Sequence, residues 1–110
     1  MNRNNKIQTV YVDNTGKIPP NSVDIENILI GQILIDYNGC KDVFNILRNE
    51  MFYNENNKHI FEAIEQLHVK CFGVNMMTVI DKLRKNGKLE IIGGAYTITT
   101  LTQNISTSLN

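Results

Sequence analysis

Charge of one sign is in short supply. Lys and Arg number 11, Asp and Glu number 11, and the 110-residue chain carries no formal net charge. Domains whose main task is to grip a phosphate backbone usually carry a basic excess, so that class is set aside except for a local patch. Cysteine is scarce as well. Cys40 and Cys71 are the two, and their spacing suits neither a disulfide framework nor a zinc site. They read as small buried apolar residues of a reducing, cytoplasmic protein. No apolar run approaches the roughly 20 residues a bilayer-spanning helix needs. Residues 1–12 are polar, with Arg3 and Lys6 but no apolar stretch behind them, so no signal peptide is read there. Self-similarity at a period of about 20–50 residues is missing too, which excludes a repeat array.

Chemistry-bearing constellations are equally thin. A phosphate-binding loop needs glycines before a helix start, followed by lysine and a hydroxyl. Gly87-Lys88 runs into Leu89 without an upstream glycine at the required distance, and Gly93-Gly94 opens onto Ala95 and Tyr96 without a lysine. His59 and His68 fall on different faces of one helix. His68 and Cys71 share a face, but no third or fourth metal ligand accompanies them. Glu62 and Glu65, three apart, read as a wet helix surface rather than as an acid/base pair. No Ser or Cys has a histidine-and-acid context. The sequence therefore predicts no catalytic, cofactor-binding or metal-binding residue in this segment.

What is present is helical. Apolar residues make up 42% and charged residues 20%, the make-up of one folded domain with one modest core. The organising stretch is Pro19-Pro20-Asn21-Ser22 followed by Val23–Ile35. The prolines fix the backbone, Asn21 and Ser22 offer capping oxygens, and Asp24 suits the helix dipole. Asp24, Asn27 and Gly31 make the only clearly non-apolar stripe at helical spacing within 23–35, so this helix is expected to be buried on most sides. Residues 1–16, rich in Asn and Lys with a turn signal at Asp13–Gly16, are expected to form a flexible N-terminal arm.

Further helices are expected at about 40–48 (Cys40, Val43, Phe44 and Leu47 on one face), 55–71 (Ile60, Phe61, Ile64, Leu67, His68 and Cys71) and 76–86 (Met76, Val79, Ile80 and Leu83). Gly39 is expected to end the first helix in a left-handed conformation, Phe72-Gly73 to close the third and Asn86-Gly87 to stop the fourth. Asn75 can cap the fourth, and adjacent Phe52 and Tyr53 are expected to plug their loop onto the core. Residues 95–102 have strand propensity, yet Ala95, Ile98, Leu101 and Ile105 share a helix face and no partner strand exists, so helix is expected. The fold class is all-α: a compact bundle of about five short helices around a buried central one. Ile28, Leu29, Phe61, Ile64 and Leu83 are the expected structural core. Lys82, Arg84, Lys85 and Lys88 form the main basic patch, flanked by Asp81 and Glu90. It reads as a solvated helix end, with a small free-standing DNA-binding helical domain as the alternative.

Three separated stretches together resemble one family. They are Lys17-Ile18-Pro19-Pro20-Asn21-Ser22 leading into Glu26–Gly31; Phe52-Tyr53 with His59–Ile64; and Thr78-Val79 with Leu83, Asn86-Gly87, Leu89-Glu90 and Ile92-Gly93-Gly94. In order and spacing they resemble the N-terminal domain of bacterial DnaB-type replicative DNA helicases, across residues 17–110. The resemblance implies a non-catalytic helical head domain of a cytoplasmic, hexameric helicase. In that family the head and a following helical hairpin form a collar of paired subunits, which docks the C-terminal domain of primase and helps loaders engage the ring. ATP and Mg would belong to a separate motor domain, and DNA to the full-length ring. The chain stops about where the hairpin would begin, so it is expected to be a piece of a longer protein. Two departures stand out: Met51 replaces the acidic residue common before Phe-Tyr, and Thr97, with Tyr96 beside it, replaces an aromatic that contacts partners. Tyr96, Thr97, Lys82 and Lys85 are accordingly the candidate partner-binding residues.

Overall fold

A computed structural model describes residues 23–109, with side chains through 105. The expected arm 1–16 and the capping residues Asn21 and Ser22 lie outside the described residues. Four α-helices follow in order: α1 (Val23–Ile35), α2 (Glu55–Val69), α3 (Met76–Lys85) and α4 (Ala95–Leu109). Two 3-10 segments, Asn38–Asn45 and Asn49–Met51, connect α1 to α2. The described residues contain no strand, and the β-branched run after Gly94 is helical. Tertiary burial of Ile98, Leu101 and Ile105 along one face overrides its strand propensity.

The helix ends follow from local chemistry. Asn54 caps α2 by accepting from the Asn57 amide at 3.0 Å. Asn75 and Thr78 form a reciprocal capping box on α3, each side chain taking the other's backbone N–H at 3.0 Å. Gly87, at φ 73°, ends α3 with the Lys88 amide reaching back to the Leu83 carbonyl. The same motif ends α2, but the left-handed residue is Cys71 (φ 57°), with the Phe72 amide on the Leu67 carbonyl. The expected stop at Gly73 is therefore displaced two residues, onto a side chain that disfavours this conformation. Gly39 is not left-handed either. Its amide donates to Asp36 Oδ1, and the chain turns directly into a 3-10 segment.

A single apolar cluster joins all four helices. Ile30, Ile33 and Leu34 of α1 meet Ile60, Phe61, Ile64 and Leu67 of α2, Val79 and Leu83 of α3, and Ile98 and Leu101 of α4. Phe52 plugs the loop onto this cluster beside Phe61, ring centroids 4.8 Å apart, whereas its neighbour Tyr53 is half-exposed. The most extensive packing is α1 on α4 and α2 on α3. Gly31 permits the first: a Cβ there would stand 2.5 Å from Ile105 Cγ1 and 2.8 Å from the Leu101 carbonyl.

Phe61, Ile64 and Leu83 are fully buried as expected, and Leu29 packs half-buried against the cluster. Ile28 does not belong to the core; it is 51% exposed. A helix apolar all round does not announce which stripe faces inward, and here the inward stripe is Glu26, Ile30, Ile33 and Leu34. Cys71 is exposed and Cys40 half-buried, so the expected burial of the cysteines is corrected. Their positions, at a helix end and in a surface 3-10 segment, leave both near solvent.

Candidate functional site

The most buried polar group is Glu26, at 0% exposure on α1. Its Oε2 accepts from the Tyr53 amide at 2.7 Å, and its Oε1 accepts from the Asn54 amide at 3.3 Å and from Asn57 Nδ2 at 3.1 Å. Asn57 Nδ2 also donates to Asn27 Oδ1 at 3.0 Å. Every neighbour is a donor, and the carboxylate sits at the start of α2, where exposed N–H groups favour negative charge. Glu26 is thus a clasp between α1 and the α2 entry. In the sequence Glu26 stands only as the start of the Glu26–Gly31 stretch, and nothing local reveals that its partners lie 27 to 31 residues away.

A second polar node joins the other ends of the same helices. The Tyr37 hydroxyl and His68 Nδ1 are 2.6 Å apart, and the His68 ring stacks on Phe44 at 4.1 Å. Partial burial pushes the Tyr37 phenol above its ordinary value, with nearby Cys71 adding to the effect. Burial likewise raises the Cys40 thiol, with Asp36 contributing. His68 is therefore held by packing and one hydrogen bond. Among the described residues no group of three or more His, Cys, Asp or Glu is placed to hold a metal ion. No described helix is long and apolar enough to cross a membrane.

The outer side of α2 and α3 is grooved. One depression, of about 630 Å³, lies along Phe44, Arg48, Glu65, His68, Val69 and Lys82. A second, of about 350 Å³, is bounded by Leu67, Phe72, Met77, Asp81, Lys82 and Lys85. Gln66, Lys70 and Lys82 line both, so the two depressions are neighbours that share a wall.

The four candidate partner residues are not brought together. Lys82 and Lys85 line the second groove, with Lys82 half-buried. Tyr96 stands at the start of α4, 77% exposed, and lines neither groove. Thr97 is turned to internal work: its hydroxyl donates to the Ile92 carbonyl at 2.9 Å and secures the turn after α3. The basic patch is partly neutralised, because Asp81 pairs with Arg84 at 3.5 Å and with Lys85 at 3.2 Å. Sequence reading named Lys82 and Lys85 but not Phe72, Met77 or Lys70, which sit beside them. Met77 alone carried a signal, as an apolar residue on the polar side of α3; Lys70 and Phe72 follow the end of α2.

Comparison with known proteins matches residues 18–110 to the model of the DnaB-like helicase N-terminal domain. The replicative DNA helicase DnaB of Rhodothermus marinus is 33% identical over 95 residues, 86% of this chain and 10% of that protein. Its counterpart from Mycobacterium leprae is 30% identical over 95 residues, 86% of this chain and 16% of the relative. The chain thus spans only about a tenth to a sixth of these relatives. The crystal structure of the N-terminal domain of DnaB helicase from Mycobacterium tuberculosis superposes with a TM-score of 0.67 at 29% identity, over 71% of this chain and 56% of that one.

Proposed function

This chain belongs to the DnaB-like helicase N-terminal domain family, and from that premise we propose that it is a non-catalytic assembly and docking domain of a hexameric replicative DNA helicase. In this reading the parent protein is a cytoplasmic, ATP-dependent DNA-unwinding enzyme. ATP and Mg act in a motor domain outside these residues, and DNA passes through the assembled ring. The head contributes to an N-terminal collar where subunits pair and where the C-terminal domain of primase and a helicase loader engage. The observation that carries the reading is the family match across residues 18–110, made over the same helical fold as a solved DnaB N-terminal domain. Local chemistry supports it: the buried polar groups Glu26 and Asn57 are spent on holding helices together, and the outer surface carries exposed apolar and basic side chains.

The alternative, a free-standing DNA-binding domain using Lys82, Arg84, Lys85 and Lys88, is weakened by Asp81, which engages two of the four cations. The test is calorimetric titration of the chain with the C-terminal domain of primase, beside sedimentation of the native full-length product. Saturable binding and a hexamer are expected. A silent titration together with a monomeric full-length product overturns the assignment, and steeply salt-dependent DNA binding in their place favours the alternative.

A further inference from the structure

The grooved side of α2 and α3 sets exposed apolar side chains beside basic ones. Val69 (76% exposed), Phe72 (62%) and Met77 (76%) present large apolar surfaces to solvent, Val69 beside the first depression and Phe72 and Met77 beside the adjoining second. Isolated exposed apolar residues need no explanation, but a contiguous set in a concave surface marks an interaction site. Met adapts to varied apolar partners, and an aromatic supplies a large contact. The rim carries Arg48, Lys70, Lys82 and Lys85 against Glu65 and Asp81. Glu65 accepts from Asn49, and Asp81 is shared between Arg84 and Lys85. Lys70 and Lys82 have no ion-pair partner among the described residues. The groove is therefore net positive on a chain whose total is zero.

We propose that this groove receives an acidic amphipathic helix of a partner protein, its apolar stripe on Val69, Phe72 and Met77 and its carboxylates against Lys70 and Lys82. Charge decides the occupant. Residues 1–22 of the chain hold Arg3, Lys6 and Lys17 against Asp13 alone, so that segment is basic and mismatched to a basic rim. Nucleic acid would meet the cations but would find no series of open rings to stack on, since Phe72 is the one strongly exposed aromatic there while Phe44 is buried and covered by the His68 ring at 4.1 Å. An amphipathic helix meets both features at once, with apolar anchors at three- and four-residue steps and acids on the flanks. The proposal gives a surface to the docking role proposed above and rests on it.

The probe is a fluorescein-labelled peptide of about 20 residues, roughly 30 Å when helical, with Leu at helical spacing and Glu on its flanks. A scrambled peptide of identical composition and a single-stranded oligonucleotide of similar length are controls. Saturable anisotropy is expected with the patterned peptide only. Lys70→Glu with Lys82→Glu, and separately Met77→Asp, should each weaken binding about tenfold or more. Circular-dichroism melts check that the variants fold, and Val69→Asp replaces Met77→Asp if the latter does not. Equal binding of the scrambled peptide, tighter binding of the oligonucleotide, or no saturation overturns the proposal. So does self-association abolished by the Met77 or Val69 substitution, which makes the occupant a second copy. If primase still titrates normally into the groove variants, the groove assignment fails and the docking role stands. If the patterned peptide binds while primase and hexamer are both absent, the docking role fails and the groove stands.

Discussion

Individual side chains in this domain are more committed than their positions suggest. Glu26 takes three donors with a carboxylate wholly removed from water. Removing it takes the acceptor from the part-buried Tyr53 and Asn54 amides and from a buried Asn57 N–H, and unmet buried donors are more costly than the hydrogen bonds were worth. Glu26→Ala should lower stability by about 3 kcal/mol, read from urea unfolding. Glu26→Gln should recover little of that, because its NH2 would face other donors; full recovery would show that shape alone matters. Tyr37 and Cys40 give a pH test. Both have folded values raised above the ordinary 10.0 and 9.0, so the folded state holds their protons more tightly than the unfolded chain. Their contribution is complete below about pH 9 and is lost as pH climbs through the raised values. Tyr37→Phe combined with Cys40→Ala should lower stability at neutral pH, through the missing His68 hydrogen bond, yet flatten the alkaline decline in urea midpoint. An unchanged alkaline slope would dismiss this linkage.

At the scale of elements, extent was legible and orientation was not. Val23–Ile35 and the start of α3 at Met76 coincide with the sequence reading, and the Asn75 cap and the Gly87 stop show how local the signals for α3 are. Residues expected as a helix at 40–48 form instead a 3-10 segment from Asn38 to Asn45 and a break before Asn49. Short segments draw little stability from their own hydrogen bonds and yield to what they pack on. The facing of α1 was hidden because apolar residues surround it, so Ile28 and Ile30 look alike in sequence but differ by half their surface in the fold. The groove escaped for a related reason: Phe72 follows the end of α2 and Met77 opens α3, and only the fold brings both to the edge of one depression. The α1–α4 crossing supplies the test at this scale. Gly31→Ala gains about 1 kcal/mol of helix propensity, but the new methyl meets Ile105 and the Leu101 carbonyl at contact distances no Cβ tolerates. A net loss of about 1–3 kcal/mol is expected, seen as a lower melting temperature. A gain would mean that α4 moves away freely.

For the molecule as a whole, one connected core makes unfolding a single event. The cluster runs without interruption from Ile30 through Phe61 and Ile64 to Leu83 and Ile98, so no helix holds a private core that could outlast the others. A wound at its centre should weaken every element together. Ile64, wholly buried on α2, is the place to make it: Ile64→Ala should cost about 2–5 kcal/mol. The urea midpoint should fall while the slope of the transition stays constant, since the surface exposed on unfolding is nearly the same. Ile28→Ala is the matched control. It removes the same atoms from a residue 51% exposed, and a change within about 0.5 kcal/mol is expected at a surface site. The pair separates burial from hydrophobicity, because composition and helix propensity shift equally in both variants. Equal losses would place α1 with the opposite face inward and detach Glu26 from the α2 entry. A shallower slope in Ile64→Ala would show that the helices part in stages, with the α2–α3 groove losing its walls before the rest of the domain unfolds.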